Sequence, residues 1–159
     1  MGKYNEIKGD LIKLAKDGYF DVIAHGCNCM CNMGSGIAVG MNKSFGVGNY
    51  PLEHPNTRGN INKLGQIEFR HFPLSNETGL YVVNCYSQYF PGKNLKPLDY
   101  EALKLCLRKI NFSFNGNRIG LPYVIGCGLA GGDPEIVIPI IKEELKDCDV
   151  TVVIYDKEQ

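Results

Sequence analysis

The sequence predicts an α/β fold, a three-layer α/β/α sandwich with a mixed, mostly parallel central sheet. Three observations carry this reading. Apolar, β-rich runs alternate with stretches of helical character in the order β–α–β–α–β–β–α–β–α–β. Two glycine-rich loops, HGCNCMCNMGSGIA at residues 25–38 and GCGLAGGD at residues 126–133, each follow a strand pattern and precede a helix pattern. The 159 residues suit one domain over residues 1–159, and a chain of this size buries roughly 70% of its unfolded surface without a staple.

Residues 4–8 alternate weakly and read as a first strand. Asp10 then opens a short helix or turn. Residues 22–26 (VIAHG) form a buried strand that runs into the first glycine loop. Residues 36–45 (GIAVGMNKSF) form the following helix, with a weak apolar face. Residues 49–63 are rich in Asn, Pro and Gly and read as loop or short helix. Residues 66–74 place Ile67, Phe69 and His71 on one side, as a strand does. Gly79 marks a turn, and residues 80–86 are a second β-rich run. Asp99 caps a helix over residues 100–110, with Ala102, Leu103, Cys106, Leu107 and Ile110 on one face. Residues 118–125 form a strand ending at the second glycine loop. Asp133-Pro134 starts a helix running to about Lys146, with Pro139 expected to kink it or delay its start. Residues 150–155 (VTVVIY) close the sheet as a buried strand.

Composition narrows the function classes. Lys+Arg and Asp+Glu are 17 each, so the formal net charge is zero. A broad nucleic-acid footprint needs clustered basic charge and is disfavoured. A phosphate ligand is not, because backbone amides hold phosphate without formal charge. No apolar run reaches the ~20 residues of a membrane span, and the N-terminus lacks an apolar signal core. The seven cysteines are odd in number and scattered, as expected of free thiols in a reducing cytoplasm.

The glycine loops are anion sites by construction, since their N–H groups point at a ligand and glycine permits close approach. Two of them suggest a ligand that touches both, such as a nucleotide diphosphate sugar. Gly126, Gly128 and Gly131 also satisfy G-x-G-x-x-G. A dinucleotide fold would then use Asp156 for a ribose, but it requires further βαβ units after that acid. His25, Cys27, Cys29 and Cys31 alternate as H-x-C-x-C-x-C, whereas structural zinc favours C-x₂₋₄-C spacing. Buried thiols beside glycines account for the same residues. Asn28 reads as a ribose ligand or an Asx-turn, and Asp133 as a functional carboxylate or a helix cap. Asp10 is a turn residue or an acceptor for an adenine amino group. His25 is a core histidine or an acid–base group with a near-neutral pKa.

Together these residues resemble the macrodomain (ADP-ribose-1''-phosphate-processing) family over nearly the whole chain. The resemblance rests on Gly9-Asp10-Leu11, His25-Gly26-Cys27-Asn28, Met33-Gly34-Ser35-Gly36-Ile37-Ala38, Leu121-Pro122 leading into Gly126-Cys127-Gly128-Leu129, and the terminal Tyr155. It is closest to small phosphatase and terminal ADP-ribose glycohydrolase members. The resemblance implies that Asp10 accepts from the adenine amino group, with the Leu11 amide nearby. It implies that Asn28 binds the distal ribose, that residues 34–38 wrap that ribose and one phosphate, and that residues 126–129 cradle the diphosphate. Gly9, Met33, Pro122 and Ala130 complete the implied binding set, and Tyr155 lines the adenine pocket.

Two positions depart from the glycohydrolase pattern. That branch has a lysine just after the strand matching residues 80–85 and an aspartate after G-C-G-L, where this chain has Tyr86-Ser87 and Ala130. Lys93 or Lys96 would have to swing in from a loop to replace the lysine. The His25 pattern and the Ala130-Gly131-Gly132-Asp133 tail look more like the phosphatase branch.

The expected activity is hydrolysis at the distal ribose C1'' of an ADP-ribose derivative, led by phosphate release from ADP-ribose 1''-phosphate. His25 and Asp133 are the expected catalytic pair. The alternatives are removal of ADP-ribose from proteins or nucleic acid, and a binding module without turnover. The chain is expected to work as a cytoplasmic monomer on a small-molecule ligand, with no cofactor, metal or membrane partner.

Overall fold

The computed structural model describes residues 2–29, 37–48, 59–74, 79–89, 98–123 and 133–155. Its elements follow the predicted order: β1 (Tyr4–Gly9), α1 (Leu11–Lys16), β2 (Val22–Asn28), α2 (Ile37–Phe45), a 3₁₀ turn (Ile61–Lys63), β3 (Ile67–Pro73), β4 (Gly79–Gln88), α3 (Tyr100–Ser113), β5 (Arg118–Pro122), α4 (Pro134–Glu144) and β6 (Asp149–Tyr155). The six strands form one sheet in the order β1-β6-β5-β2-β4-β3. β3 runs antiparallel to β4, and every other pair is parallel. Five carboxyl ends therefore share one edge of the sheet. Pro73 is tolerated because β3 is an edge strand, where a missing N–H breaks no ladder.

Strand alternation sends side chains to two cores. Val22, Ala24, Val83, Ile119, Leu121, Val150 and Val152 meet Leu103, Leu107 and Ile110 of α3 and Val137 and Ile141 of α4. Ile23, Leu80, Val82 and Val153 meet Leu11 and Ala15 of α1 and Met41 and Phe45 of α2. The helices thus cover both faces, α1 and α2 on one and α3 and α4 on the other. Among the described residues no helix is long and apolar enough to cross a membrane.

Aspartates start three of the helices. Asp10 accepts from the Lys13 N–H, Asp99 from Ala102 and Asp133 from Glu135. Each satisfies an amide that the helix itself leaves open. Pro139 does not delay α4, which begins at Pro134 and ends at Glu144 rather than Lys146. α3 continues past Ile110 to Ser113, because Phe114 returns to the core and its N–H caps the Ile110 carbonyl. Gly116 then turns the chain at φ +82, a left-handed conformation that favours glycine.

β2 is longer than the sequence suggests and runs through Cys27 to Asn28. Its length is set by β4, with which it pairs from Val22↔Tyr81 to Asn28↔Gln88. α1 packs closely over β5. A Cβ on Gly120 would lie 2.7 Å from the Phe20 ring and 2.9 Å from Leu11 Cδ1, so the layer spacing there depends on glycine.

Candidate functional site

Chain direction across the sheet changes between β2 and β5. From β2 the chain continues to α2 on one face, and from β5 to α4 on the other. In open α/β sheets this is where ligands bind, outside the carboxyl ends of the strands. Here the seam also opens. β2 and β5 pair only at Val22↔Ile119 and Ile23↔Gly120. β2 stays with β4 as far as Asn28, and β5 stays with β6 as far as Pro122↔Val153. The two central strands therefore part toward the carboxyl edge.

Several expected binding residues line that edge in a row. Gly9 ends β1 and is in register with Tyr155, which ends β6. Pro122 ends β5 and Asn28 ends β2. From β1 to β2 the row crosses three strand spacings, roughly 14 Å at about 4.8 Å each. Such a span suits an extended ligand rather than a lone phosphate. Tyr155 is 70% exposed, whereas Asn28 is only 5% exposed. Asp10 is half-buried, and one of its oxygens accepts from Lys13 N at 3.1 Å. The Leu11 side chain is committed to the core. Ile37 and Ala38 are the first residues of α2, both half-buried. Met33, Gly34, Ser35 and Gly36, and Gly126, Cys127, Gly128, Leu129 and Ala130, lie outside the described residues.

Asp133 is exposed at the start of α4. Its Oδ1 accepts from Glu135 N at 2.9 Å, and its own N–H donates to the Tyr100 hydroxyl at 3.0 Å. The beginnings of α3 and α4 are thereby joined, and Asp133 follows β5 in the chain as the cap of α4.

His25 is different from its expectation. It lies inside the sheet, three residues before the end of β2, with no exposed surface. Its Nε2 is 2.8 Å from Asn84 Oδ1. The Asn84 amide donates to the Val47 carbonyl at 3.1 Å and to the Tyr86 hydroxyl at 3.2 Å, which fixes Oδ1 as the acceptor facing the ring. Nε2 therefore carries the proton and donates it. Burial lowers the His25 pKa to about 4, against a smaller raising effect of the Asn84 hydrogen bond. The near-neutral imidazole expected from the sequence is thus replaced by a neutral ring with its N–H committed. The desolvation cost of an imidazolium is the physical reason. Cys27 Sγ lies 3.4 Å from Nε2 and 3.9 Å from Nδ1, packed on the same ring.

The sequence reading did not single out Asn84, and it noted Tyr86 and Ser87 only as departures from a lysine. Asn84 had a visible signal, a lone amide in the apolar run LYVVNCY. Lys63 was also missed. It is buried, pairs with Glu68 and sits over the Tyr86 ring at 4.4 Å.

Comparison with known proteins fits this geometry. No protein-family model matches the chain. The curated "Uncharacterized 17.5 kDa protein in tk-vs intergenic region" of Enterobacteria phage T4 is 30% identical over 154 residues, covering 94% of this chain and 95% of the relative. A solved protein of unknown function from Bacteroides thetaiotaomicron is 28% identical with a TM-score of 0.72, covering 96% of this chain and 98% of that one. The macrodomain of Thermus aquaticus DarG superposes with a TM-score of 0.70 at 21% identity, covering 98% and 99%. Thermosipho africanus DarTG in complex with ADP-ribose gives 0.66 at 18% identity, covering 98% of this chain and 42% of that one.

Proposed function

Because this chain belongs to the family of the 17.5 kDa phage T4 protein and has the macrodomain fold, we propose that it binds ADP-ribose across the carboxyl edge and hydrolyses derivatives at the distal ribose C1''. The parting of β2 from β5 beyond Ile23↔Gly120 carries this reading. It leaves β2 and β5 unpaired toward the carboxyl edge, and in the sequence the two glycine loops follow these two strands. The ADP-ribose complex of the DarTG neighbour supports the choice of ligand.

In this proposal Asp10 and Tyr155, at the β1–β6 end of the row, hold adenine. Asn28, at the β2 end, holds the distal ribose. The amides of residues 34–38 and 126–129 hold the phosphates. A chain of zero net charge can do this because amide dipoles, not lysines, supply the positive potential.

The leading reaction is hydrolysis of ADP-ribose 1''-phosphate to ADP-ribose and inorganic phosphate. Asp133 orients the water and takes its proton, using the oxygen not occupied by the Glu135 amide. His25 is not assigned the acid role, because its ring is neutral and its N–H is given to Asn84. It positions the end of β2 instead.

The test is calorimetry with ADP-ribose followed by phosphate release from ADP-ribose 1''-phosphate. Asp133→Asn should lower turnover on the order of 10²–10⁴-fold, as expected for a lost general base, while ADP-ribose binding is retained. Full turnover in the variant would remove Asp133 from the chemistry. Tight binding without phosphate release would identify a de-ADP-ribosylating enzyme or a binding module, which incubation with an ADP-ribosylated substrate separates.

A further inference from the structure

The β2–β4 pairing contains an irregularity at the site. The strands run in step from Val22↔Tyr81 to Cys27↔Tyr86, and then Asn28 pairs with Gln88. Ser87 is the extra residue of β4, opposite the step between Cys27 and Asn28. A bulge of this kind re-aims one side chain and is common beside active sites.

The Ser87 side chain is fully buried, and its Oγ is the one buried side-chain nitrogen or oxygen without a hydrogen-bond partner among the described residues. An unpaired buried hydroxyl is costly, so native chains rarely keep one without a use for it. Its backbone, by contrast, is anchored. The Ser87 carbonyl accepts from Asp99 N at 2.8 Å, at the cap of α3. The next residue, Tyr100, holds the Asp133 N–H. Ser87 is thus fixed between Asn28 on one side and the start of α3, with Asp133 beyond it, on the other.

We propose that Ser87 is a further binding residue, whose hydroxyl completes its hydrogen bonding with an oxygen of the ligand at the Asn28 end of the carboxyl edge. This rests on the ADP-ribose reading above. Ser87 has no exposed surface in the ligand-free chain, so binding has to uncover its hydroxyl. The oxygen is either a distal-ribose hydroxyl or a phosphate oxygen, and the choice of ligands in the test separates the two.

The test is calorimetry of wild type and Ser87→Ala with ADP-ribose and with ADP, alongside thermal unfolding of the ligand-free proteins. Removing one hydrogen bond should weaken ADP-ribose binding on the order of 3–10-fold. The ligand-free variant should melt no lower than wild type, because an unpaired hydroxyl has been removed. Weakening for ADP-ribose alone places the contact at the distal ribose, and equal weakening for ADP places it at a phosphate. Wild-type affinity in the variant overturns the role of Ser87 while leaving the ADP-ribose reading intact. Failure of wild type to bind ADP-ribose overturns both. A lower melting temperature with unchanged affinity assigns the hydroxyl a structural partner and also overturns the proposal.

Discussion

His25 marks the boundary between the proposed binding edge and its scaffold. An exposed imidazole titrates near 6.5, but buried His25 titrates at about 4. Between these values the unfolded chain binds more protons than the folded one, so stability rises with pH. The contribution is present above pH 6.5 and is lost as pH falls toward and through 4. At 1.36 kcal per pKa unit the full effect is on the order of 3 kcal/mol. Urea unfolding should therefore show a steeper loss of stability from pH 6.5 to 4 in wild type than in His25→Gln, which has no proton to gain. Parallel profiles would contradict the buried neutral ring. The sequence does reveal that a histidine stands near the end of a strand. It does not reveal the partner, because Asn84 lies 59 residues away in the chain and meets His25 only through the β2–β4 register. Ser87 was hidden for the same reason: a bulge is a relation between two strands, and no local pattern in either strand encodes it.

At the level of elements, local chemistry and tertiary pairing divide the work. Helix starts were legible, since Asp10, Asp99 and Asp133 cap the amides that a helix start always leaves open. Strand ends were less so. β2 reads as ending at its glycine, yet β4 carries it on to Asn28. Contact between layers imposes a further constraint at Gly120, where β5 passes under Phe20 and Leu11. Gly120→Ala should destabilise the chain by about 1–3 kcal/mol, the usual cost of overpacking, measured by urea unfolding. Phe20→Leu in the same background should recover part of the loss by making room. A neutral Gly120→Ala would mean that the layer gives way without cost.

At the scale of the whole molecule, the proposed binding edge follows from topology. Five parallel strands bring the ends of β1, β6, β5, β2 and β4 to one edge. The α1/α2 and α3/α4 layers cover opposite faces, and the central seam opens between them. The strand pattern predicted the sheet. The opening of the seam was not legible, because it depends on which neighbour each strand keeps. The most direct test of the account is titration of the chain with ADP-ribose, followed by backbone amide resonances. The account predicts saturable shifts at Asp10, Asn28, Asp133 and Tyr155, with Asp21 and Gly116 at the opposite edge unchanged. An absence of shifts at saturating ligand, or shifts confined to the Asp21–Gly116 edge, would contradict it.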